Sequence, residues 1–323
     1  MKIGILGAGH IAEKMAKTIK YIGEKPYAVA SRDLDKAKAF AKNFEFEKAY
    51  GSYEELLNDK ELELVYVATP HSHHYDHIKL CLNHGKPVLC EKSFTQNAKQ
   101  AREVLELSKE KNLYLGEAIW SRYMPSRAFA NNIIKSGQIG EVKMVTANLG
   151  YNNMDRKDRL TNPNLAGGAL LDVGVYSLNF IDMILDKPYT DIVTSCTYTD
   201  TGVDETDMIT LKFDGGIIAN AMSSIRVPTE QNGIVYGTKG FLIARNINNV
   251  DTIEVYNSDR KKIGQMPMPG VFTGFEYELS AAIRDVQAGK IESEEMPHSK
   301  ILYIMELMDK CREEWGIVYP NEK

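Results

Sequence analysis

The chain has 323 residues, enough for two domains that each bury a core of their own. A hydrophobic content of 43%, a charged content of 26% and a net charge of −5 with no basic run describe a globular protein and argue against a nucleic-acid partner. No stretch reads as long and apolar enough for a membrane partner, no leader pattern opens the chain, and four cysteines without pairing or metal spacing fit the cytoplasm.

In chain order, Lys2 to Leu6 reads as one buried strand, and Gly7, Gly9 and Ala12 follow at the spacing G-x-G-x-x-A as a helical pattern begins. A strand, a glycine turn and a helix N-terminus in that order hold a dinucleotide pyrophosphate. Gly7 permits the turn, Gly9 leaves room for the diphosphate, Ala12 lets helix pack on strand, and His10 and Ile11 complete the stretch. Ile11, Met15 and Ile19 share a helical face, with Gly23 as the stop. Strands are expected at Tyr27–Ala30, Leu64–Ala68, Val88–Cys90 and Tyr114–Ala118. Helices are expected at Leu34–Phe44, after Ser52 through a capping box with Glu55, at Ser72–Asn83, and from a Thr95 cap to Lys111. This alternation predicts a doubly wound parallel sheet over residues 1–118, an NAD(P)-binding Rossmann domain.

Residues 119–323 read differently, as an α+β domain for substrate binding and oligomerisation. A helix over Pro125–Lys135, a strand over Val142–Leu149 and a loop over 151–168 precede a helix over Leu171–Leu185. Strands follow at Ile192–Tyr198, Met208–Phe213, Ile217–Ser223, Ile234–Tyr236, Phe241–Ala244 and Thr252–Tyr256, with a hairpin at Asp214-Gly215-Gly216. Two amphipathic helices close the chain, one striped by Phe275, Leu279, Ile283 and Val286, the other by Ile301, Ile304, Met305 and Met308. The sheet is therefore large, mostly antiparallel and open on one face.

Ligands of an open parallel sheet sit beyond the carboxyl ends of its strands. Ser31-Arg32, Thr69-Pro70-His71, Glu91-Lys92 and Trp120 to Arg122 all fall at such ends and are candidates for cofactor binding. His71 to His77 contains pairs at helical spacing, yet no cysteine or carboxylate of ligand spacing completes a set, so no metal is expected. In the second domain Asp172 and Tyr176 are four apart and share a helical face, preceded by Gly167 and Gly168, which let backbone approach a neighbour closely. An NAD site places an acidic residue about 20 positions beyond the glycines. Here Ser31 stands nineteen after Ala12, Arg32 follows and Lys36 lies a turn on, while Asp33 is placed to cap the next helix. That arrangement favours NADP over NAD.

The segments GAGHIA, VASRD, VATPHSHH, VLCEKS, EAIWSRYMP, RLTNPNLAGGALLDVGVY and HSKILYIMELMDKCREEWG, in this order, resemble the Gfo/Idh/MocA oxidoreductase family. The likeness points within it to the branch of dimeric dihydrodiol dehydrogenases and NADP-dependent xylose dehydrogenases. The resemblance implies a Rossmann domain, an open-faced α/β domain, a small-molecule substrate between them, and a homodimer or larger homo-oligomer built on the open face. It makes Lys92 the catalytic lysine, Asp172 and Tyr176 the second-domain pair, and His74 the histidine of the family's P-N-x-x-H stretch. Ser93 stands where the family has proline, after a peptide bond that is cis in relatives. The implied reaction is hydride transfer between NADP(H) and a secondary hydroxyl or hemiacetal of a sugar, cyclitol or cyclic diol. Either Lys92 or Tyr176 is the acid/base, and Asp172 orients the substrate hydroxyl or Lys92. Two other classes are open at this point: glycoside hydrolysis through transient redox at a held nicotinamide, and a cofactor-binding regulator without turnover.

Overall fold

The structure, a computed structural model, describes residues 1–152 and 157–322. The chain divides into two compact units, Met1–Trp120 with Val271–Glu306, and Ser121–Gly270 with Leu307–Lys323. Residues 271–306, read above as part of the second domain, thus group with the first.

In unit 1, β1 (Lys2–Leu6) runs into α1 (His10–Tyr21), then β2 (Lys25–Ala30) into α2 (Leu34–Phe44). Next come β3 (Lys48–Tyr50), α3 (Tyr53–Leu57), β4 (Leu64–Val67), α4 (His74–Asn83), β5 (Val88–Glu91), α5 (Ala98–Lys111) and β6 (Leu115–Ala118). The six strands pair in parallel in the order β3-β2-β1-β4-β5-β6, the doubly wound order with its switch point between β1 and β4. Residues Leu64–Val67 are buried throughout, as a strand covered by helices on both faces must be. The caps are local. Ser52 Oγ accepts the Glu55 N–H at 3.1 Å, and Glu55 answers by accepting from Gly51 rather than Ser52. Helix α5 is capped by Asn97, which accepts from Gln100, and not by Thr95, whose hydroxyl donates to the Asn97 carbonyl instead. The three-residue β3 escapes the periodicity argument because it is too short to show alternation.

In unit 2, α6 (Pro125–Lys135) leads to β7 (Val142–Gly150), the short α7 (Lys157–Leu160), a π-helical turn over Leu170–Gly174, and α8 (Val175–Leu185). Residues 153–156 of the loop expected over 151–168 lie outside the described residues. Strands β8 (Asp191–Tyr198), β9 (Asp204–Phe213), β10 (Ile217–Ser224), β11 (Gly233–Gly237), β12 (Gly240–Arg245), β13 (Thr252–Asn257) and β14 (Lys262–Pro267) join β7 in one sheet. Its order is β14-β13-β12-β11-β7-β10-β9-β8, antiparallel except between β7 and β10. The turn between β9 and β10 is made by Gly215 and Gly216, both at positive φ. The exposed edge strand β14 carries too little apolar alternation to be read from sequence.

The chain ends with α9 (Glu276–Gln287) and α10 (His298–Trp315). One expectation needs correction. Pro163–Leu185 does reach the length and composition of a membrane-crossing helix, with a mean hydropathy of 1.4. It is instead core, since 89% of its apolar window is buried inside the protein.

Candidate active site

The glycine turn is built from two different requirements. Gly7 has φ +101°, and a Cβ there would stand 2.8 Å from the Ala68 carbonyl oxygen, so the end of β1 is locked against the end of β4. Its N–H donates to the Ala30 carbonyl at 2.9 Å. A Cβ on Gly9, by contrast, would meet nothing within 4 Å. Gly9 is also the N-cap of α1 with no side-chain bond, so the first N–H groups of that helix face outward uncapped. Ala12 is fully buried and carries the helix onto the sheet. His10 is exposed and Ile11 half-buried.

At the end of β2, Ser31 is nearly buried and its Oγ accepts the Asp33 N–H at 3.3 Å. Asp33 Oδ1 accepts from the N–H groups of Asp35 and Lys36 at 3.0 and 3.1 Å, which commits that carboxylate to the start of α2. Arg32 and Lys36 remain exposed. The Arg32 charge reaches the loop after β4, where it adds to burial in lowering the pKa of His73. Burial, His73, His74 and Arg32 together hold His77 down at about 4. His77 Nδ1 lies 2.9 Å from Thr69 Oγ1, and its ring meets Tyr53 edge-on at 4.8 Å. Among the described residues no group of His, Cys, Asp and Glu has the arrangement of a metal site.

His74 ties the ends of β4 and β5 together. Its Nδ1 lies 2.7 Å from the Ser93 carbonyl oxygen and its Nε2 lies 2.8 Å from that of Thr69. Two facing acceptors favour a ring carrying both protons, yet complete burial outweighs them and lowers the pKa to about 4. Lys92 follows β5 half-buried, and the Lys92–Ser93 peptide is cis. Glu91 is buried and accepts the Tyr66 hydroxyl; burial raises its pKa, against the pull of that bond and of Lys92.

In unit 2 the segment that carries Asp172 and Tyr176 is the π-turn and the first residues of α8. Both side chains are nearly buried, at 7% and 8% exposure. Asp172 Oδ1 accepts from Arg159 Nη2 at 3.0 Å. The glycines ahead of the turn are close approaches, as read from sequence. A Cβ on Gly167 would lie 2.4 Å from the Leu160 carbonyl oxygen, and one on Gly168 (φ +121°) 2.2 Å from Asp204 Oδ1.

Comparison with known proteins decides what these features belong to. Residues 1–118 match the family described as oxidoreductase family, NAD-binding Rossmann fold, and residues 128–243 match its GFO/IDH/MocA C-terminal domain. The chain belongs to the Gfo/Idh/MocA family. It is 32% identical over 333 residues to bovine trans-1,2-dihydrobenzene-1,2-diol dehydrogenase, covering 100% of this chain and 99% of the relative. Among solved structures it is similar to a 3-ketoreductase from Actinomadura kijaniata in complex with NADP and TDP-benzene. There the TM-score is 0.86 at 24% identity, covering 97% of each chain. It is also similar to levoglucosan dehydrogenase in complex with NADH, with TM-score 0.86 at 16% identity over 98% of this chain and 97% of that one. This Gfo/Idh/MocA chain is an NAD(P)-binding oxidoreductase.

The glycine turn fits such a cofactor, because the space beside Gly9 and the uncapped N–H groups of α1 are what a diphosphate requires. Three residues expected at the cofactor also have partners inside the protein. Arg122 is 1% exposed, and its Nη1 and Nη2 donate to Asn179 Oδ1 and Asp182 Oδ2 at 2.8 to 2.9 Å, a buried ion pair within unit 2. His74 has both ring nitrogens on backbone carbonyls, and Glu91 holds Tyr66. Trp120 packs its ring on Phe275 at 4.8 Å. The unit 1 residues at strand ends are Ser31, Arg32, Thr69, Pro70, His71 and Lys92, with Lys36 one turn into α2. Sequence reading passed over Arg159, although it lies within the family-like stretch, because its partnership with Asp172 spans thirteen residues of irregular chain.

Proposed function

We propose that this oxidoreductase prefers NADP and moves a hydride between it and a secondary hydroxyl or hemiacetal of a sugar, cyclitol or cyclic diol. The observation that carries the cofactor preference is the capping bond of Asp33, whose Oδ1 accepts two N–H groups of α2 that compete with ribose hydroxyls for that carboxylate. Exposed Arg32 and Lys36 beside it, with the Ser31 hydroxyl, offer a 2′-phosphate charge and hydrogen bonds. The substrate class rests on the relatives, whose names specify a cyclic diol, levoglucosan and a 3-keto group.

The nicotinamide supplies the hydride acceptor or donor when bound. Lys92 holds the reacting oxygen and favours its alkoxide character through positive charge. Tyr176 exchanges the proton, and Asp172, steadied by Arg159, orients the substrate hydroxyl. A panel of dihydrodiols, aldoses and polyols followed by NADP reduction tests the reading. Sugar release without any net change in cofactor absorbance would replace it with glycoside hydrolysis through transient redox.

The open face of the unit 2 sheet supports a homo-oligomer. Met144, Val193, Met208 and Ile218, on four adjacent strands, are 41% to 61% exposed. A contiguous apolar face of this kind fits a two-fold interface with a second copy. Light scattering at micromolar concentration is expected to give at least a dimer; a 36.3 kDa monomer rejects it. The four free thiols, three of them buried, suit work in the cytoplasm.

A further inference from the structure

Two aspartates lie buried in unit 2 where alternation along a strand would not bring them together. Asp204 and Asp207 are three apart on β9, so a regular strand would point them to opposite faces. The register to β8 slips between Thr197, which faces Thr206, and Tyr198, which faces Asp204. Glu205 is the extra residue of that bulge, and the bulge turns Asp204 inward beside Asp207. Exposure is 0% for Asp204 and 1% for Asp207.

Each carboxyl has one oxygen in a defined bond. Asp204 Oδ2 accepts the Leu170 N–H at 2.5 Å, and Asp207 Oδ1 accepts the Ser223 hydroxyl at 2.5 Å from the paired position on β10. The remaining oxygens, Asp204 Oδ1 and Asp207 Oδ2, are buried with no donor of another residue on them, and the two side chains are hydrogen-bond neighbours. Two carboxylates cannot share such a place unless a proton lies between them. Leu170 opens the π-turn that carries Asp172, and Gly168 gives the carboxyl its room.

The geometry points to Asp204 and Asp207 as a proton-sharing acid pair that positions the turn bearing Asp172 and Tyr176. The inference rests on the reading of those two side chains as catalytic. Asp207 keeps the proton and donates it to Asp204, and Asp204 stays an ionised acceptor for the Leu170 N–H. The neighbours support that division. Burial and the adjacent Asp204 push Asp207 well up, while the Leu170 N–H and Arg312 limit the rise of Asp204 to about 6. The other groups facing the pair keep their charge state near neutrality. Cys196 (up at about 11) and Tyr198 on β8, Cys311 on α10, and Tyr319 are all raised, the first, third and fourth chiefly by burial, and Arg312 is held charged by Glu322 and Asp309. The singly protonated pair therefore holds from about 6, where Asp204 ionises, up to the titration of Asp207, and the contribution is lost as pH rises through that value.

The test reads amide exchange over residues 168–176 in the whole protein, corrected for the intrinsic rate, between pH 6 and pH 9. Wild type is expected to lose protection toward the alkaline end of that range. Asp207→Asn supplies a permanent amide donor in place of the proton, and its protection is expected to stay flat. Asp204→Ala is expected to lose protection at every pH and to lower kcat at least tenfold, while the NADP dissociation constant moves less than twofold. Parallel pH profiles for wild type and Asp207→Asn overturn the shared proton. Unchanged protection in Asp204→Ala overturns the positioning role; if that variant does not fold, Ser223→Ala, which frees Asp207 Oδ1, must shift the wild-type profile to a different pH or the proposal fails. Exchange results as expected alongside full turnover in Tyr176→Phe would leave the acid pair standing and reject the catalytic reading of Tyr176.

Discussion

The strand-end edge of unit 1 and the π-turn of unit 2 hold their side chains in place by different means. In unit 1 the supports are near in sequence: Asp33 caps bonds two and three residues on, and Gly9 satisfies a helix start by leaving it open. Its hydrogen bonds between strand ends reach further, nineteen residues from His74 to the Ser93 carbonyl and twenty-five from Tyr66 to Glu91. In unit 2 the turn is held by Asp204, thirty-four residues away, and by the Tyr319 hydroxyl on the Gly167 carbonyl at 2.7 Å, 152 residues away. The first arrangement can lose a functional group without losing its shape. The second cannot, because shape and presentation depend on the same distant contacts.

The largest effect that sharpens this contrast is on turnover. Lys92→Met is expected to lower kcat by ~100-fold or more, the scale for one positioned charge or proton donor, while the protein stays folded. A variant that turns over normally, or one that unfolds, breaks the comparison from the unit 1 side. Next comes Gly168→Ala, where a Cβ would meet Asp204 Oδ1 at 2.2 Å in a backbone conformation that side chains avoid. Strain and overpacking there cost about 2–5 kcal/mol in chemical denaturation, and kcat is expected to fall with stability. Stability equal to wild type would show that the turn is not held as described.

A smaller change is expected at Arg32. Losing a charge-assisted hydrogen bond costs ~1.5–3 kcal/mol, so Arg32→Ala should weaken NADP binding roughly 10- to 150-fold and leave NAD almost untouched. Titrating both cofactors separates this from a structural role, for which the two losses would be equal. Smallest is Asp33→Ala, an N-cap deletion expected to cost ~1 kcal/mol of stability. If Asp33 served the ribose instead of the helix, the same variant would weaken NAD binding while keeping its stability.

What was legible in the sequence follows the same division. The glycine turn, the Asp33 and Ser52 N-caps and the βαβ alternation depend on neighbouring residues and are found as read, while Glu55 closes its side of the box on Gly51 instead of Ser52. Asp172 and Tyr176 were legible as a pair, but the π-turn between helix and glycines was not, since its backbone is set by Asp204 and Tyr319. Arg122 shows a partnership that sequence does not reveal. Its position just after β6 suggested a cofactor contact, and only tertiary structure brings Asn179 and Asp182 to its guanidinium. His74 and Glu91 sit at strand ends as expected, yet burial hands their polar atoms to Ser93, Thr69 and Tyr66. Periodicity predicts which face is buried, not which partner waits there.

The discontinuity of the two units has a consequence for biosynthesis. Helix α9 packs on α1, and Thr273 Oγ1 meets Thr18 Oγ1 at 2.6 Å, so unit 1 is completed by residues that leave the ribosome after all of Ser121–Gly270. At ~5–20 residues per second, the surface of α1 waits tens of seconds for its cover. Unit 2 waits as well, because Tyr319 follows Gly167 by 152 residues. Nascent chains halted before Val271 are therefore expected to be cut readily by protease within residues 1–120, and chains halted after Glu306 has emerged to resist; equal sensitivity at both lengths would show that the parallel sheet matures alone. Synthesis thus completes unit 1 only after Ser121–Gly270 has been made.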